Sequence, residues 1–176
     1  MRKETVIKKG FFFLLTVVAA VAVVAAGATD ETAGRTAFAA IVDDYEAVRQ
    51  ALLNDKTDGI AEHAEAIRRA AAALAEDFSV ERAGVSAEDA DGVKALLPDV
   101  VEAAGRLAGA GDIAAAREAF FLLSKRLARY REMVSGERPA VAYCPMVKKS
   151  WLQPLVEIGN PYHGQSMPRC GEIVSE

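Results

Sequence analysis

Cysteine, histidine and tryptophan are scarce in this chain: two cysteines, two histidines and one tryptophan among 176 residues. Their scarcity excludes several kinds of chemistry. There is no Cys-x-x-Cys-His, so covalent haem attachment is excluded. A helical carboxylate-bridged metal site needs Glu-x-x-His on facing helices, and the residue three before His63 is Ile60. No serine stands in a nucleophile elbow, and no glycine-rich loop follows a strand in a way that would cradle phosphates. Paired carboxylates such as Asp43-Asp44 and Glu88-Asp89 read as solvated helix faces or caps. Nothing in the sequence reads as an enzyme.

A basic stripe is also missing. The chain carries 21 Lys+Arg against 25 Asp+Glu. Residues 1–28 hold four of the bases and one of the acids, which leaves 17 against 24 and a net charge of −7 for the remainder. An acidic body without clustered Lys and Arg argues against a nucleic-acid partner, whose phosphates demand such clusters.

The long uncharged run is confined to the beginning. Arg2, Lys3, Lys8 and Lys9 precede the apolar segment Phe11 to Ala26, and Ala26-Gly27-Ala28 supplies a small-x-small cleavage site. Residues 1–28 are therefore expected to be an export signal. The alternative is an uncleaved anchor formed by residues 11–28, since no charge falls between Lys9 and Asp30. No cysteine follows the run to take a lipid. Either way the body is expected outside the cytoplasm, in the periplasm or otherwise exported, with the membrane a partner only through an uncleaved leader.

The rest is mostly helical in pattern. Phe38, Ile41, Val42, Tyr45, Val48 and Leu52 recur three and four apart between Thr36 and Asn54, with Asp43, Glu46 and Arg49 expected to face solvent. Ile60, Ala64, Ile67, Ala71, Leu74 and Phe78 form a second seam, capped by Thr57 or Asp58. His63, beside that seam, reads as a solvated flank residue. Ser79 to Asp91 reads as a connection with a short helical turn at 86–90. A third helix is expected over Val93 to Ala108, either kinked by Pro98 or beginning there. Asp112 caps a fourth, with Ile113, Ala116, Phe120, Leu123, Leu127, Tyr130 and Val134 as its seam, ending at Ser135-Gly136. The expected fold class is all-α: an antiparallel four-helix up-and-down bundle over residues 29–138. A C-terminal lobe over 139–176, rich in loops and short strands, is expected to pack on it.

That lobe holds the unusual residues. Tyr143 and Trp151 are its aromatic anchors, and Asn160-Pro161-Tyr162-His163-Gly164 is turn chemistry. Cys144-Pro145-Met146 and Met167-Pro168-Arg169-Cys170 place two soft-sulfur pairs around it. Thiolate and thioether select Cu(I) or similar thiophilic ions over hard cations. Residues two apart in an extended segment share a side, so Cys144 and Met146 can serve one ion, and a turn can bring Met167 to Cys170. His163 is a candidate nitrogen ligand. The competing reading is a disulfide: exported cysteines usually pair, and a Cys144–Cys170 bridge would stabilise by about 3 kcal/mol. Methionines beside such a staple ordinarily fill gaps.

The string Tyr143-Cys144-Pro145-Met146, Trp151-Leu152, Asn160-Pro161-Tyr162, Gly164, Met167 and Cys170-Gly171-Glu172 resembles the signature of the bacterial domain-of-unknown-function family 3347. Tyr45, Arg117-Glu118-Ala119-Phe120 and Ser124 resemble further positions of it, so that the likeness spans residues 36–176. Members are exported helical domains, alone or fused to the membrane-fusion adaptor subunits of heavy-metal efflux systems. The resemblance implies copper handling through Cys144, Met146, Met167 and Cys170. His163 falls where relatives are expected to carry an aromatic residue. No barrel-sandwich or hairpin region accompanies the motif, so a free-standing domain is expected, not an adaptor. The function implied is Cu(I) buffering or carriage, with a periplasmic efflux or metal-carrier protein as partner. The alternative is a structural, protein-interaction domain with a Cys144–Cys170 disulfide and no metal.

Overall fold

Helix α1, Ala37–Leu53, begins where the sequence places it, because Thr36 is extended and its hydroxyl accepts the Ala39 N–H at 3.2 Å. A turn then brings the chain back, with Asp55 in the left-handed region at φ 55°, a conformation aspartate tolerates. Helix α2, Ile60–Glu76, starts at Gly59, whose positive φ of 79° replaces the side-chain cap expected from Thr57 or Asp58. A computed structural model of the chain describes these elements within residues 35–154 and 157–175. The expected leader, residues 1–28, lies outside the described residues. Among the described residues no helix is long and apolar enough to cross a membrane.

The connection after α2 holds a one-turn helix, α3, at Val80–Ala83, earlier than the turn expected at 86–90. Its position follows from its caps: the Ser79 hydroxyl accepts the Arg82 N–H, and Gly84 closes the turn at φ 71°. Helix α4 runs unbroken from Ala90 to Ala108 with Pro98 inside it. Proline there removes one backbone hydrogen bond, a cost of about 3 kcal/mol. Burial of Val93, Leu97, Val100, Ala104 and Leu107 on both sides of it offsets that loss. Helix α5, Ile113–Met133, is capped by Asp112, whose carboxylate accepts the Ala115 N–H at 2.8 Å. Helix α2 packs against α1 and α4, and α4 against α5.

Beyond Pro139 the chain forms a sheet. Strands β1 (Ala140–Cys144), β2 (Lys149–Gln153) and β3 (Glu172–Ser175) are antiparallel in the order β2-β1-β3. Alternation along β1 turns Ala140, Ala142 and Cys144 inward, all fully buried. Strand β2 lies on α5, and Trp151, Leu152, Cys144 and Tyr162 join the same core as the helix seams.

The expected all-α, four-helix up-and-down bundle is therefore corrected. The described residues hold five helices and a three-stranded antiparallel sheet, a mostly helical fold with a β component. Two physical causes lie behind the difference. Capping residues too local to show in the hydrophobic pattern make α3. The segment expected to hold only short extended pieces finds a third strand, Glu172–Ser175, far away in sequence. Pairing with it makes β1 a central strand instead of one side of a hairpin.

Candidate metal centre

Three donors from three separate turns meet at one end of the sheet. Cys144 is the last residue of β1, His163 precedes a single 3-10 turn at Gly164–Ser166, and Cys170 stands two residues before β3. The two Sγ atoms and one His163 ring nitrogen all lie within 4.8 Å of one another. Cys144 is buried, whereas His163 and Cys170 are half-buried. His163 Nε2 is itself buried and has no hydrogen-bond partner, which is a costly state for a polar atom unless something occupies it.

The sulfurs are 2.9 Å apart and both cysteines are free. A covalent S–S bond is about 2.05 Å, and two thiolates on a tetrahedral ion at about 2.3 Å stand roughly 3.8 Å apart. The pair lies between these two states, within about 1 Å of either. Burial alone would push the Cys144 thiol up. Hydrogen bonds to its sulfur from Cys170, from the Val147 and Met146 amides and from the Asn160 side chain outweigh burial, and hold it below the ordinary thiol range. Cys170, bonded to Cys144 and partly desolvated, is pushed up.

The methionines stand differently. Strand β1 ends at Cys144 and the chain turns through 145–148, so the alternation that would carry Met146 to the same side stops one residue short. Met146 is 67% exposed. Met167 accepts the Cys170 N–H on its carbonyl, the turn foreseen from the spacing, but its side chain is 37% exposed.

The remaining tail residues hold the donors in place. Asn160, fully buried, is the hub. Its Oδ1 accepts the N–H groups of Tyr162 at 2.8 Å and His163 at 3.3 Å, and its Nδ2 donates to the Cys170 carbonyl at 2.6 Å. One side chain thus fixes two of the three donor-bearing turns. Gly164 has φ 54°, and a Cβ there would run into the Asp55 carboxylate and Arg117. Gly171 has φ 141° and lies where a Cβ would meet Trp151 at 2.8 Å. Pro161 offers its carbonyl to Arg117 Nε at 2.8 Å. Tyr162 donates its hydroxyl to the Ser150 carbonyl at 2.7 Å and meets Trp151 edge to face. Tyr143 is half-buried on the other side of β1.

The helices reach this lobe through polar groups that the periodicity did not single out. Arg49, expected to face solvent, is 1% exposed. It forms two 2.6 Å bonds to Glu46 and donates to the Gly159 carbonyl at 2.6 Å. A buried guanidinium needs every such partner, and Gly159 adjoins the Asn160 hub. Asp55 accepts the Gln165 amide at 3.0 Å and Arg117 at 2.6 Å; those two bonds, the amide first, hold its carboxyl below the usual carboxylate value. Gln153 receives Trp151 Nε1 at 2.9 Å and the Gly159 N–H at 3.2 Å. The Tyr45 hydroxyl, deeply buried and pushed up by that burial, accepts the Leu152 N–H at 3.1 Å and lies 2.6 Å from Ser124 Oγ. Tyr45, Arg117 and Ser124 are thus all contacts with the tail or supports of such contacts. Asp55 and Arg49 gave no comparable signal, because the partners that tie them to the tail are backbone atoms 110 residues away. His63 bonds Asp44 at 2.9 Å on the flank of α2, part of no donor cluster among the described residues.

Comparison with known protein families, curated proteins and solved structures yields no match to this chain.

Proposed function

We propose that this protein binds a soft d10 ion, Cu(I) by preference, through the Cys144 and Cys170 thiolates and the His163 imidazole. The observation that carries the reading is the convergence of those three donors within 4.8 Å, with His163 Nε2 buried and unpartnered. Two thiolates and one nitrogen suit a three-coordinate soft ion. Zn²⁺ would need a fourth ligand. Met146 and Met167, exposed beside Cys144 and Cys170, are thioethers at the rim, suited to receive or release the ion by ligand exchange. The cargo role, buffering or carriage in the periplasm for an efflux or metal-carrier protein, rests on the resemblance of the tail motif.

The test is Cu(I) competition against a chromophoric chelator on reduced protein. Wild type is expected to take up one equivalent, Cys144→Ser/Cys170→Ser none, and His163→Ala to bind at least about tenfold more weakly. Equal uptake by all three would end the proposal. Tighter retention of Zn²⁺ than of Cu(I) in the parallel titration would replace the ion.

A second reading is favoured by the 2.9 Å sulfur separation: a permanent Cys144–Cys170 disulfide that makes the tail a structural or interaction surface. Thiol counting without reductant, native and denatured, separates the two. Two thiols per chain argue for the metal and none for the staple.

A further inference from the structure

The two sulfurs differ in what can reach them. Cys144 is fully buried, and its sulfur faces the Met146 and Val147 amides and the Asn160 side chain. Cys170 is half-buried in a turn bounded by exposed Met167 and Arg169. The turn itself is fixed by the Cys170 N–H on Met167, the Cys170 carbonyl on Asn160 and the glycine packed under Trp151. With 2.9 Å between sulfurs, closing the bond takes less than about 1 Å of movement.

We propose that Cys144 and Cys170 form a reversible thiol–disulfide exchange centre of fixed polarity, in which low-molecular-weight thiols and disulfides react only at Cys170 and Cys144 is the internal partner. In the oxidising direction the Cys170 thiolate attacks one sulfur of a small disulfide. A Cys170–S–S–R bond forms, the RS–SR bond breaks, and RS⁻ leaves and takes up the proton that Cys170 gave to solvent. The Cys144 thiolate then attacks the Cys170 sulfur. The internal disulfide forms, the bond to R breaks, and the second RS⁻ leaves and is protonated in turn. Two electrons pass from the cysteines to the small disulfide, which becomes two thiols. In reverse, a small thiolate attacks Cys170, and the departing Cys144 thiolate is received by the amides that face it. Attack at the buried Cys144 sulfur is blocked while Cys170 can be reached, so both directions run through the same mixed disulfide on Cys170. The centre needs no ion and stands independently of the metal proposal, although closing it removes two of the three donors.

The experiment uses the full chain, reduced, in chelator, with glutathione disulfide as probe and intact-mass spectrometry as readout. Wild type is expected to lose two hydrogens without accumulating an adduct. Cys144→Ser should accumulate one glutathione on Cys170, and Cys170→Ser should react at least about tenfold more slowly than Cys144→Ser. A second measurement needs no variant: peptide mapping of native wild type under limiting iodoacetamide should find Cys170 labelled well ahead of Cys144. Adduct formation at Cys144 as fast as at Cys170, equal alkylation of the two, or a wild type that stays reduced or retains a stable adduct would overturn the proposal. Because the ion is absent throughout, failure here leaves the Cu(I) titration untouched, and the converse holds.

Discussion

From Ala37 to Met133 the chain is held by apolar seams, whereas from Ala140 onward a share in that core is joined by many hydrogen bonds to single atoms. In the helices each buried leucine or valine contributes through area, roughly 1.5–3 kcal/mol apiece, and many neighbours share the work. Asn160 and Gln153 within the tail, and Arg49 and Arg117 reaching it from α1 and α5, each bridge two or more backbone or side-chain groups. Loss of one such bridge leaves buried polar atoms with nothing to bond. The two regions therefore fail differently: the helical part softens by degrees, and the tail loses its donor geometry at one stroke.

The contrast is tested most strongly by removing, from the helices, one guanidinium that reaches the tail and one that does not. Arg49→Ala leaves the Gly159 carbonyl without its partner and Glu46 with Gln50 alone, and removal of one member of a largely buried pair costs about 3–5 kcal/mol. Denaturant unfolding should show that loss, and Cu(I) uptake should fall with it because Gly159 adjoins the Asn160 hub. Arg68→Ala removes an equally short pair with Glu65 on the solvated face of α2. It should leave both the midpoint and the uptake unchanged. Similar losses in the two variants would refute the contrast.

A smaller effect is expected from two glycines. Gly164→Ala forces a Cβ onto Asp55 and Arg117 at φ 54°, and should cost roughly 1–3 kcal/mol while displacing His163. Gly136→Ala has a comparable positive φ of 97° but open space around it, so the expected loss is only the conformational part, about 1–2 kcal/mol. The discriminating measurement is Cu(I) affinity, which should drop for Gly164→Ala alone.

The smallest effect is a pH dependence. The Asp55 carboxyl lies below its ordinary value because the Gln165 amide and then Arg117 bond its charged form. A depressed carboxylate contributes stability that is fully present above its unfolded value, 3.8, and is lost as pH falls through the lower folded value. Melting temperature should therefore fall less between pH 5 and pH 3 in Asp55→Asn than in wild type. An identical acid limb in the two proteins would show that the bonds to Gln165 and Arg117 do not hold the tail.

Legibility in the sequence follows the range of the forces involved. Thr36 and Asp112 cap α1 and α5 as their side chains dictate, and the expected seam residues from Phe38 to Leu52 and from Ala116 to Tyr130 are nearly all buried. Pro98 pointed to a kink or a start, and α4 passes through it because packing on both sides outweighs one lost hydrogen bond. Arg49 sits among charges on a helical wheel, and nothing local says that it will turn inward to a carbonyl 110 residues away. In the site, Cys144, His163 and Cys170 were legible as soft donors by residue type, and Asn160 as a turn residue. That Asn160 ties the His163 and Cys170 turns together was not.

The sequence by itself determined four long helices, the caps of α1 and α5, the residue types in the tail and the acidity of the body, because propensity, capping and charge act within a few residues. Tertiary structure decided that β1 would become a central strand and that Arg49 would be buried. Those outcomes depend on contacts across 29 to 110 residues. Such contacts join the tail to the surface that the helices present.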